Sequence, residues 1–177
     1  MTPSPTPVAL PAIPLVAGWN DKCYIGEEMP IEDALTGIED KVLAIYMLNQ
    51  SQAFDRWFPG RADVSTITSL NPYDQLFVLM SEAGTWQQEQ SAQMQPSVDL
   101  VQEWNSVCYT GQTKPIEEAT TGIADAIGIL YKFLDTQAWA RYVPNRPEVS
   151  TISTLTQLDS VILLVTQEED TTWVFDP

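Results

Sequence analysis

Several residue types are missing or scarce in this chain, and each absence removes a class of function. The 177 residues include no histidine, so the commonest general base and the commonest transition-metal ligand are both missing. Only 8 residues are basic against 24 acidic ones, which gives a formal net charge of −16. Such a charge repels nucleic acid. No apolar run approaches the roughly 18 residues that a membrane-spanning helix needs. We therefore expect neither nucleic-acid binding nor membrane insertion.

Cysteine is limited to Cys23 and Cys108. Two thiols without histidine cannot form a transition-metal ligand set, so we expect no metal and no cofactor. The favoured interpretation of the cysteines is a pair of small, buried apolar side chains on matching strands. The alternative is a disulfide between them, which requires two distant parts of the chain to meet with Cα atoms within about 7 Å.

The sequence also contains an internal repeat with an offset of about 85 residues. The segment WNDKCYIG at 19–26 recurs as WNSVCYTG at 104–111, and roughly two in five aligned positions match. A unit of about 80 residues can bury a modest core. The repeat therefore predicts a Thr/Ser/Pro linker over 1–10, a first module over 11–86, a linker over 87–95 and a second module over 96–177. The two modules are expected to be related by a pseudo-twofold axis or to be strung like beads.

Each module is predicted to be α+β and strand-dominated, with a small, mainly antiparallel sheet or barrel and one short helix. Alternating apolar residues from Ile13 onward predict one long strand that continues to Tyr24 and ends at Gly26 with positive φ. A proline followed by acidic residues predicts a short helix of two to three turns over 30–38. The second copy repeats both patterns about 85 residues later.

The rest of each module has strand signals. Apolar alternation on both sides of the polar residues 49–52 predicts a β-hairpin, with a copy around 134–137. Residues 76–80 and 161–165 are apolar on both faces, which indicates a buried central strand. A last strand is expected through Trp86 and through Trp173, and residues 65–70 fit either a one-turn helix or an irregular crossing.

The residues at several of these positions resemble those of a known repeat family. They are Gly18-Trp19-Asn20, Tyr24, Pro30, Tyr46, Arg56-Trp57-Phe58-Pro59, Leu70 and Asp74. In this respect the chain is similar to the tandem "GWN" repeat modules of secreted and cell-surface proteins of Chloroflexi-like bacteria. The second copy departs at Glu103, which replaces Gly18, and at residues 156–159. The resemblance implies an extracellular, non-catalytic accessory or scaffold module with no assigned chemistry, and the Thr-Pro start is typical of a tether inside a longer protein.

The scarce basic residues and the recurring aromatic residues provide the candidate sites. Arg56 and Arg141, together with Arg61 and Arg146, would form an anion or carboxylate-ligand site in each module, and Asp40/Asp125 and Asp74/Asp159 recur with them. An internal bidentate ion pair that fixes the hairpin against a turn is favoured. Exposed rings among the aromatic candidates would stack on sugars, although core packing explains most rings at alternating spacing. These candidates are Trp57, Tyr142, Trp86 and Trp173. The pairs Trp19/Trp104 and Phe54/Trp139 also recur between the copies.

Acidic residues give weaker candidates. Glu32 and Glu117 would serve as glycosidase carboxylates, but acids in the first turn of a helix are favoured by the helix dipole. Asp63 and Glu148 would bind calcium only with further loop oxygens, and the spacing matches no EF-hand loop.

From the sequence we expect a non-catalytic structural or interaction module of the cell surface, which binds a protein partner or itself. The alternative is a module that binds carbohydrate, or another ligand, through exposed aromatic residues.

Overall fold

The computed structural model describes residues 12–89, 94–169 and 171–175. The predicted linker over 1–10 lies outside these residues. The elements of the N-terminal half are, in chain order, β1 (Ala12–Leu15), β2 (Gly18–Cys23), β3 (Met29–Pro30), α1 (Ile31–Ala34), β4 (Val42–Leu48), β5 (Phe54–Trp57), β6 (Ser69–Leu70), β7 (Gln75–Met80) and β8 (Gly84–Gln87). Those of the C-terminal half are β9 (Ser97–Leu100), β10 (Glu103–Tyr109), β11 (Lys114–Pro115), α2 (Ile116–Ala119), β12 (Ile127–Phe133), β13 (Trp139–Tyr142), β14 (Thr154–Leu155), β15 (Asp159–Val165) and β16 (Thr171–Val174).

The two halves have the same arrangement of strands. Each half contains one four-stranded antiparallel sheet, in the order β2-β7-β4-β5 in the N-terminal half and β10-β15-β12-β13 in the C-terminal half. Two-stranded pairs complete each half, namely β1-β8 and β3-β6 in the first and β9-β16 and β11-β14 in the second. The strand-dominated class with small antiparallel sheets is thus confirmed. None of the sheets within the described residues closes, so the barrel alternative is not adopted.

The first strand of each half is broken, whereas the sequence predicted one long strand. β1 pairs with β8 and β2 pairs with β7, so the two pieces belong to different sheets. The chain turns at Gly18, whose φ is +92°. The Asn20 side chain holds this turn, because it accepts a hydrogen bond from the Val16 N–H and donates one to the Val16 carbonyl, both at 2.8 Å. Alternation alone could not reveal a break that a side chain stabilises.

The predicted helix and its preceding glycine also differ in detail. α1 comprises only Ile31–Ala34, and the chain then turns through Gly37 at φ +90°. The glycine alone does not set the helix length, because α2 also ends after one turn, at Ala119, although Gly122 has no positive φ and lies in a 3-10 helix over Thr121–Ile123. The backbone of Gly26 does not have the predicted positive φ. It is required instead for space, since a Cβ there would lie 2.4 Å from the hydroxyl oxygen of Tyr24.

The hairpin and the central strand have the predicted form. β4 pairs with β5 and β12 pairs with β13 across the polar turns. β7 lies between β2 and β4, and β15 lies between β10 and β12. Strand β8 passes through Trp86 and strand β16 through Trp173, as predicted. Residues 65–70 form neither a helix nor a purely irregular crossing, since Ser69–Leu70 pairs with Met29–Pro30.

Each half buries its own hydrophobic core on one face of its four-stranded sheet. The largest fully buried side chain is Trp86 in the N-terminal half and Trp173 in the C-terminal half. A third, smaller cluster contains Cys23, Ile25 and Tyr73 together with Cys108. Because this cluster draws on both halves, the halves are packed against each other and are not separate beads.

Candidate functional site

The outer faces of the two four-stranded sheets meet at the seam between the halves. β2 contacts β15 and β12, and β10 contacts β4 and β7. Cys23 and Cys108 form a disulfide across this seam, with a Cα–Cα distance of 5.6 Å. The favoured interpretation of two separate thiols is therefore wrong. Equivalent residues of two similar units touch only where they lie close to the axis that relates the units, and a repeat alone does not show which residues do.

Two glutamine side chains cross the seam reciprocally. The Gln137 Oε1 accepts from the Trp19 N–H at 2.9 Å, and its Nε2 donates to the Trp19 carbonyl at 2.8 Å. Gln52 makes the same pair of bonds with Trp104, at 2.9 and 3.0 Å. Each side-chain amide thus takes the place of a neighbouring strand's peptide group. We call these contacts the glutamine clamps, and they cover the edges of β2 and β10 at that point.

A buried polar cluster lies at the centre of the seam. Asp21, which is 6% exposed, accepts hydrogen bonds at Oδ1 from Ser160 of the C-terminal half and from Gln75 of its own half. Burial raises the pKa of Asp21 to about 6, against the lowering effects of these two hydrogen bonds and of Lys22 and Lys132. Removing a carboxylate from water favours its neutral form.

Beyond this cluster the two sheets diverge and leave an aromatic cleft. Gln52 and Glu103 line part of this cleft. Its aromatic and aliphatic walls consist of Trp19, Tyr46, Leu48, Phe54 and Phe77 from the N-terminal half and of Trp104, Tyr131, Phe133, Trp139 and Ile162 from the C-terminal half. The cleft has two depressions, of about 510 and 600 Å³, which share Phe54, Trp139 and Ile162. Each residue of the first wall stands at the repeat position of a residue in the second. The cleft is therefore nearly symmetric about the seam.

Ring contacts run without a gap from one end of the cleft to the other. The Trp19 and Tyr46 centroids are 5.9 Å apart, Tyr46 and Phe54 6.4 Å, and Phe54 and Phe77 6.5 Å. Phe77 then crosses the seam to Trp139 at 6.2 Å. The path ends through Tyr131, at 6.0 Å from Trp139 and 6.2 Å from Trp104. All these separations lie in the range of favourable aromatic pairs.

The rings of the cleft are nevertheless open to solvent. Trp19 and Trp104 are each 37% exposed, and Phe54 and Trp139 are each 50% exposed. Large apolar side chains that are clustered and exposed mark an interaction site more often than scattered ones do. Aromatic residues of this cleft recur between the two copies of the repeat, so they could be noticed from the sequence, but their recurrence does not show which face of the sheet they occupy.

The four aromatic candidates from the sequence lie elsewhere. Trp57, Tyr142, Trp86 and Trp173 are between 0 and 5% exposed and belong to the two cores. The indole N–H groups of Trp86 and Trp173 donate to the carbonyls of Ala34 and Ala119, at 2.7 and 2.8 Å. These side chains present no ring face to a ligand, in agreement with the core interpretation that the sequence favoured.

Arg56 and Arg141 each connect the hairpin of their half to the following loop through a hydrogen bond to a backbone carbonyl. The Arg56 Nε donates to the Val64 carbonyl at 3.0 Å, and the Arg141 Nε donates to the Val149 carbonyl at 2.8 Å. The expected fixing of the hairpin is present, but the acceptor of this bond is a backbone oxygen and not a carboxylate. The expected bidentate ion pair is present at Arg61, the other arginine of the N-terminal half, whose Nε and Nη2 each lie 2.9 Å from an oxygen of Asp63.

Three of the acidic candidates make contacts within the protein that support a structural role. Glu32 accepts a hydrogen bond of 3.4 Å from the Trp57 indole. Asp63 and Glu148 are ion-paired with Arg61 and Arg146. Among the described residues, no group of three or more acidic, cysteine or histidine side chains is arranged to hold a metal ion.

The described residues include no helix long and apolar enough to cross a membrane. Comparison with known proteins gives no further assignment, because no family model, curated protein or solved structure matches this chain.

Proposed function

We propose that this protein is a non-catalytic extracellular interaction module, a subunit of a surface scaffold, and that its partner binds in the aromatic cleft. The observation that carries this proposal is the set of exposed rings at the seam, which neither hydrophobic core uses. A folded chain keeps such a surface at a cost in solubility, and this chain offsets that cost with a net charge of −16.

Two further features support the proposal. The disulfide at the seam is compatible with an oxidising, extracellular location. The repeat and the resemblance to secreted "GWN" modules point in the same direction. The cleft walls lie on paired β-strands and are tied together by the disulfide and the glutamine clamps, so the site is preorganised. A rigid site loses little conformational entropy when a partner binds.

The experiment is a titration of the protein with Nile red, a neutral dye whose emission rises in apolar surroundings. We expect the native protein to bind the dye and the double variant Phe54→Ala/Trp139→Ala to bind it at least about tenfold more weakly. Both side chains are half exposed, so their truncation leaves the cores intact. Leu43→Ala is the matched control, because Leu43 is 51% exposed and lies outside the cleft. Equal dye binding by the double variant and the control contradicts the proposal.

Carbohydrate is the second candidate ligand, and the half-exposed indole of Trp139 favours it because such rings stack on sugar faces. The composition of the walls makes this candidate less favourable, since each sugar hydroxyl also brings a hydrogen-bond donor and the mostly apolar wall side chains supply few acceptors for it. A shift of tryptophan emission on addition of soluble glucans, lost in Trp139→Ala, would establish it.

A further inference from the structure

The hydrogen-bonding side chains of the aromatic cleft include three indole N–H donors, two phenol hydroxyls that can donate or accept, and one carboxylate, Glu103. Among the described residues, none accepts a hydrogen bond from the indole N–H of Trp19, Trp104 or Trp139, or from the hydroxyl of Tyr46 or Tyr131. The core indoles of Trp57, Trp86 and Trp173 all have acceptors. The amide of Gln52, at the rim, is already engaged with the Trp104 backbone. The cleft therefore offers ring faces and free N–H and O–H groups.

The complementary ligand has apolar rings and carbonyl acceptors but few donors of its own. A proline-rich segment in the polyproline II conformation has this chemistry, because proline lacks the backbone N–H and presents its ring and its carbonyl. Aromatic-lined grooves are the common receptors of such segments, whose fixed conformation keeps the entropy cost of binding low. An ordinary extended peptide would bring N–H donors, and the cleft side chains supply few acceptors for them.

Strand addition at the sheet edges is not favoured by the geometry. At the β2 edge the Trp19 backbone is already bonded to Gln137. At the β5 edge, Arg56 is bonded through its N–H to the Thr66 hydroxyl, at 3.0 Å, and through its carbonyl to the Thr66 N–H, at 2.7 Å. At the β13 edge, the backbone N–H and carbonyl of Arg141 are bonded to Thr151 in the same way. A peptide that needs free edge groups would find these taken.

The charge around the cleft defines the flanks of the ligand. Within the described residues, five basic side chains are already paired with carboxylates, namely Lys22, Lys41, Arg61, Lys132 and Arg146. Acidic residues outnumber basic ones by 24 to 8, so most carboxylates have no basic partner of their own, and Glu103 lies in the wall of one depression. Opposite charge on the partner raises its association rate and its selectivity.

We propose that the aromatic cleft binds a proline-rich segment of a partner protein that is flanked by arginine or lysine. This inference rests on the proposed interaction role of the cleft and adds the class of partner. The ring faces hold the prolines, the indole and phenol donors bind their carbonyls, and the acidic surface attracts the flanking cations.

The test is a calorimetric titration of the full chain with three synthetic peptides. The first is polyproline with arginine at both ends, the second is uncharged polyproline, and the third has the same arginines on a Gly/Ser spacer. We expect the first peptide to bind most tightly and the third at least about tenfold more weakly. Phe54→Ala/Trp139→Ala should weaken the first peptide by at least about tenfold, and Leu43→Ala should not. Raising the salt to about 0.5 M should reduce its affinity toward that of uncharged polyproline.

The outcomes separate this inference from the proposed function. If the Gly/Ser peptide binds as tightly as the arginine-flanked polyproline, charge alone drives binding and the inference is overturned. If Nile red binds in the cleft but neither polyproline peptide binds, the inference fails while the proposed function stands. Binding of a glucan in place of the peptides overturns the inference in favour of a carbohydrate site. If Nile red does not bind in the cleft either, the proposed function itself fails.

Discussion

At the scale of single residues, Asp21 is the largest departure from symmetry at the seam. Its repeat position in the other half is Ser106, a neutral residue, and its hydrogen-bond donors Gln75 and Ser160 also occupy equivalent positions. One of four central polar positions thus holds a titratable group. Burying a carboxylate at this place costs free energy whenever it is ionised.

This asymmetry predicts a pH-dependent gain of stability for Asp21→Asn. The pKa of Asp21 is raised from 3.8 to about 6 in the folded state, so between these values the folded chain binds more protons than the unfolded chain. The contribution of Asp21 to the free energy of unfolding therefore falls as pH rises from about 4 to 6 and stays low above that. The shift corresponds to roughly 3 kcal/mol at neutral pH. Urea unfolding of the variant should show a gain near this size at pH 7 and almost none at pH 4.

The control for Asp21→Asn is Asp40→Asn, which removes an exposed carboxylate of the same charge. It should change stability by less than about 0.5 kcal/mol and by a similar amount at both pH values. If the difference in the free energy of unfolding between wild type and Asp21→Asn did not vary with pH, the pKa of Asp21 would be the same in the folded and unfolded states, which would contradict the prediction.

The residue scale also shows what the sequence could and could not reveal about the site. Recurrence drew attention to Trp19 and Trp104, and both lie in the cleft. It equally drew attention to Trp86 and Trp173, and both are core residues. The two classes stand on different sheets: Trp19 and Trp104 lie on the four-stranded sheets, whereas Trp86 and Trp173 lie on two-stranded pairs and are buried in the cores. Because a break precedes β2, alternation counted from Ile13 does not give the face of Trp19, and a shift of one residue reverses every side chain.

At the scale of elements, the glutamine clamps join the turn of each hairpin to an edge strand of the other half. Both glutamines have left-handed backbone, with φ of 61° at Gln52 and 63° at Gln137. Asparagine or glycine is the usual residue in that region. Side-chain length explains why both positions hold glutamine, because only a side chain longer than that of asparagine extends to the strand of the other half.

This reasoning predicts that Gln137→Asn destabilises the protein although asparagine suits the backbone better. The variant loses two hydrogen bonds to Trp19 and uncovers the β2 edge, which should lower the free energy of unfolding by about 1 to 2 kcal/mol. Gln52→Asn should have a similar effect through Trp104. The measurement is urea unfolding with the disulfide intact.

Gln50→Asn serves as the matched control for the clamps, since it makes the same Gln-to-Asn change in the hairpin turn that carries Gln52, at an exposed residue that forms no clamp. We expect a change below about 0.5 kcal/mol for this variant. If Gln137→Asn were as stable as the control or more stable, the backbone preference would outweigh the clamp and the clamp would contribute no net stability.

The elements themselves were predictable where one face of a strand or helix is buried by its own half. The hairpins, the central strands and the last strands follow from periodicity and turn residues. The helix was predicted too long because the apolar spacing over 30–38 continues through residues that form turns, and the helix ends after one turn in both halves. The first strand was predicted unbroken because Asn20 holds a turn by its side chain. Both errors concern features that a local pattern of apolar residues does not encode.

At the scale of the whole molecule, the seam converts two small units into one body. Four kinds of contact cross it: the disulfide, the glutamine clamps, the buried Asp21–Ser160 hydrogen bond and the ion pair of Lys22 with Asp135 at 2.9 Å. The Phe77–Trp139 contact adds an apolar link. The sequence left open whether the units meet at all, because their packing depends on outward faces whose polar and aromatic residues also suit exposure to solvent.

The disulfide is predicted to be the strongest of these links, since it closes a loop between residues 85 positions apart. By the chain-entropy relation, a loop of this length stabilises the folded state by about 4 to 5 kcal/mol. The double variant Cys23→Ser/Cys108→Ser should lose that amount in guanidinium unfolding. It should still unfold in a single transition, because the other contacts keep the halves coupled.

Light scattering of the native protein and of this variant, under reducing and non-reducing conditions, supplies the accompanying measurement. Because both sulfurs are buried and paired within one chain, reduction should not change the native mass by breaking a link between chains.

Two separate unfolding transitions in the variant would mean that the disulfide alone joins the halves. In that case the walls of the aromatic cleft would lose their fixed spacing on reduction, and binding of Nile red would fall with them. A single transition with the dye still bound would show that the noncovalent contacts at the seam are sufficient to hold the cleft in shape.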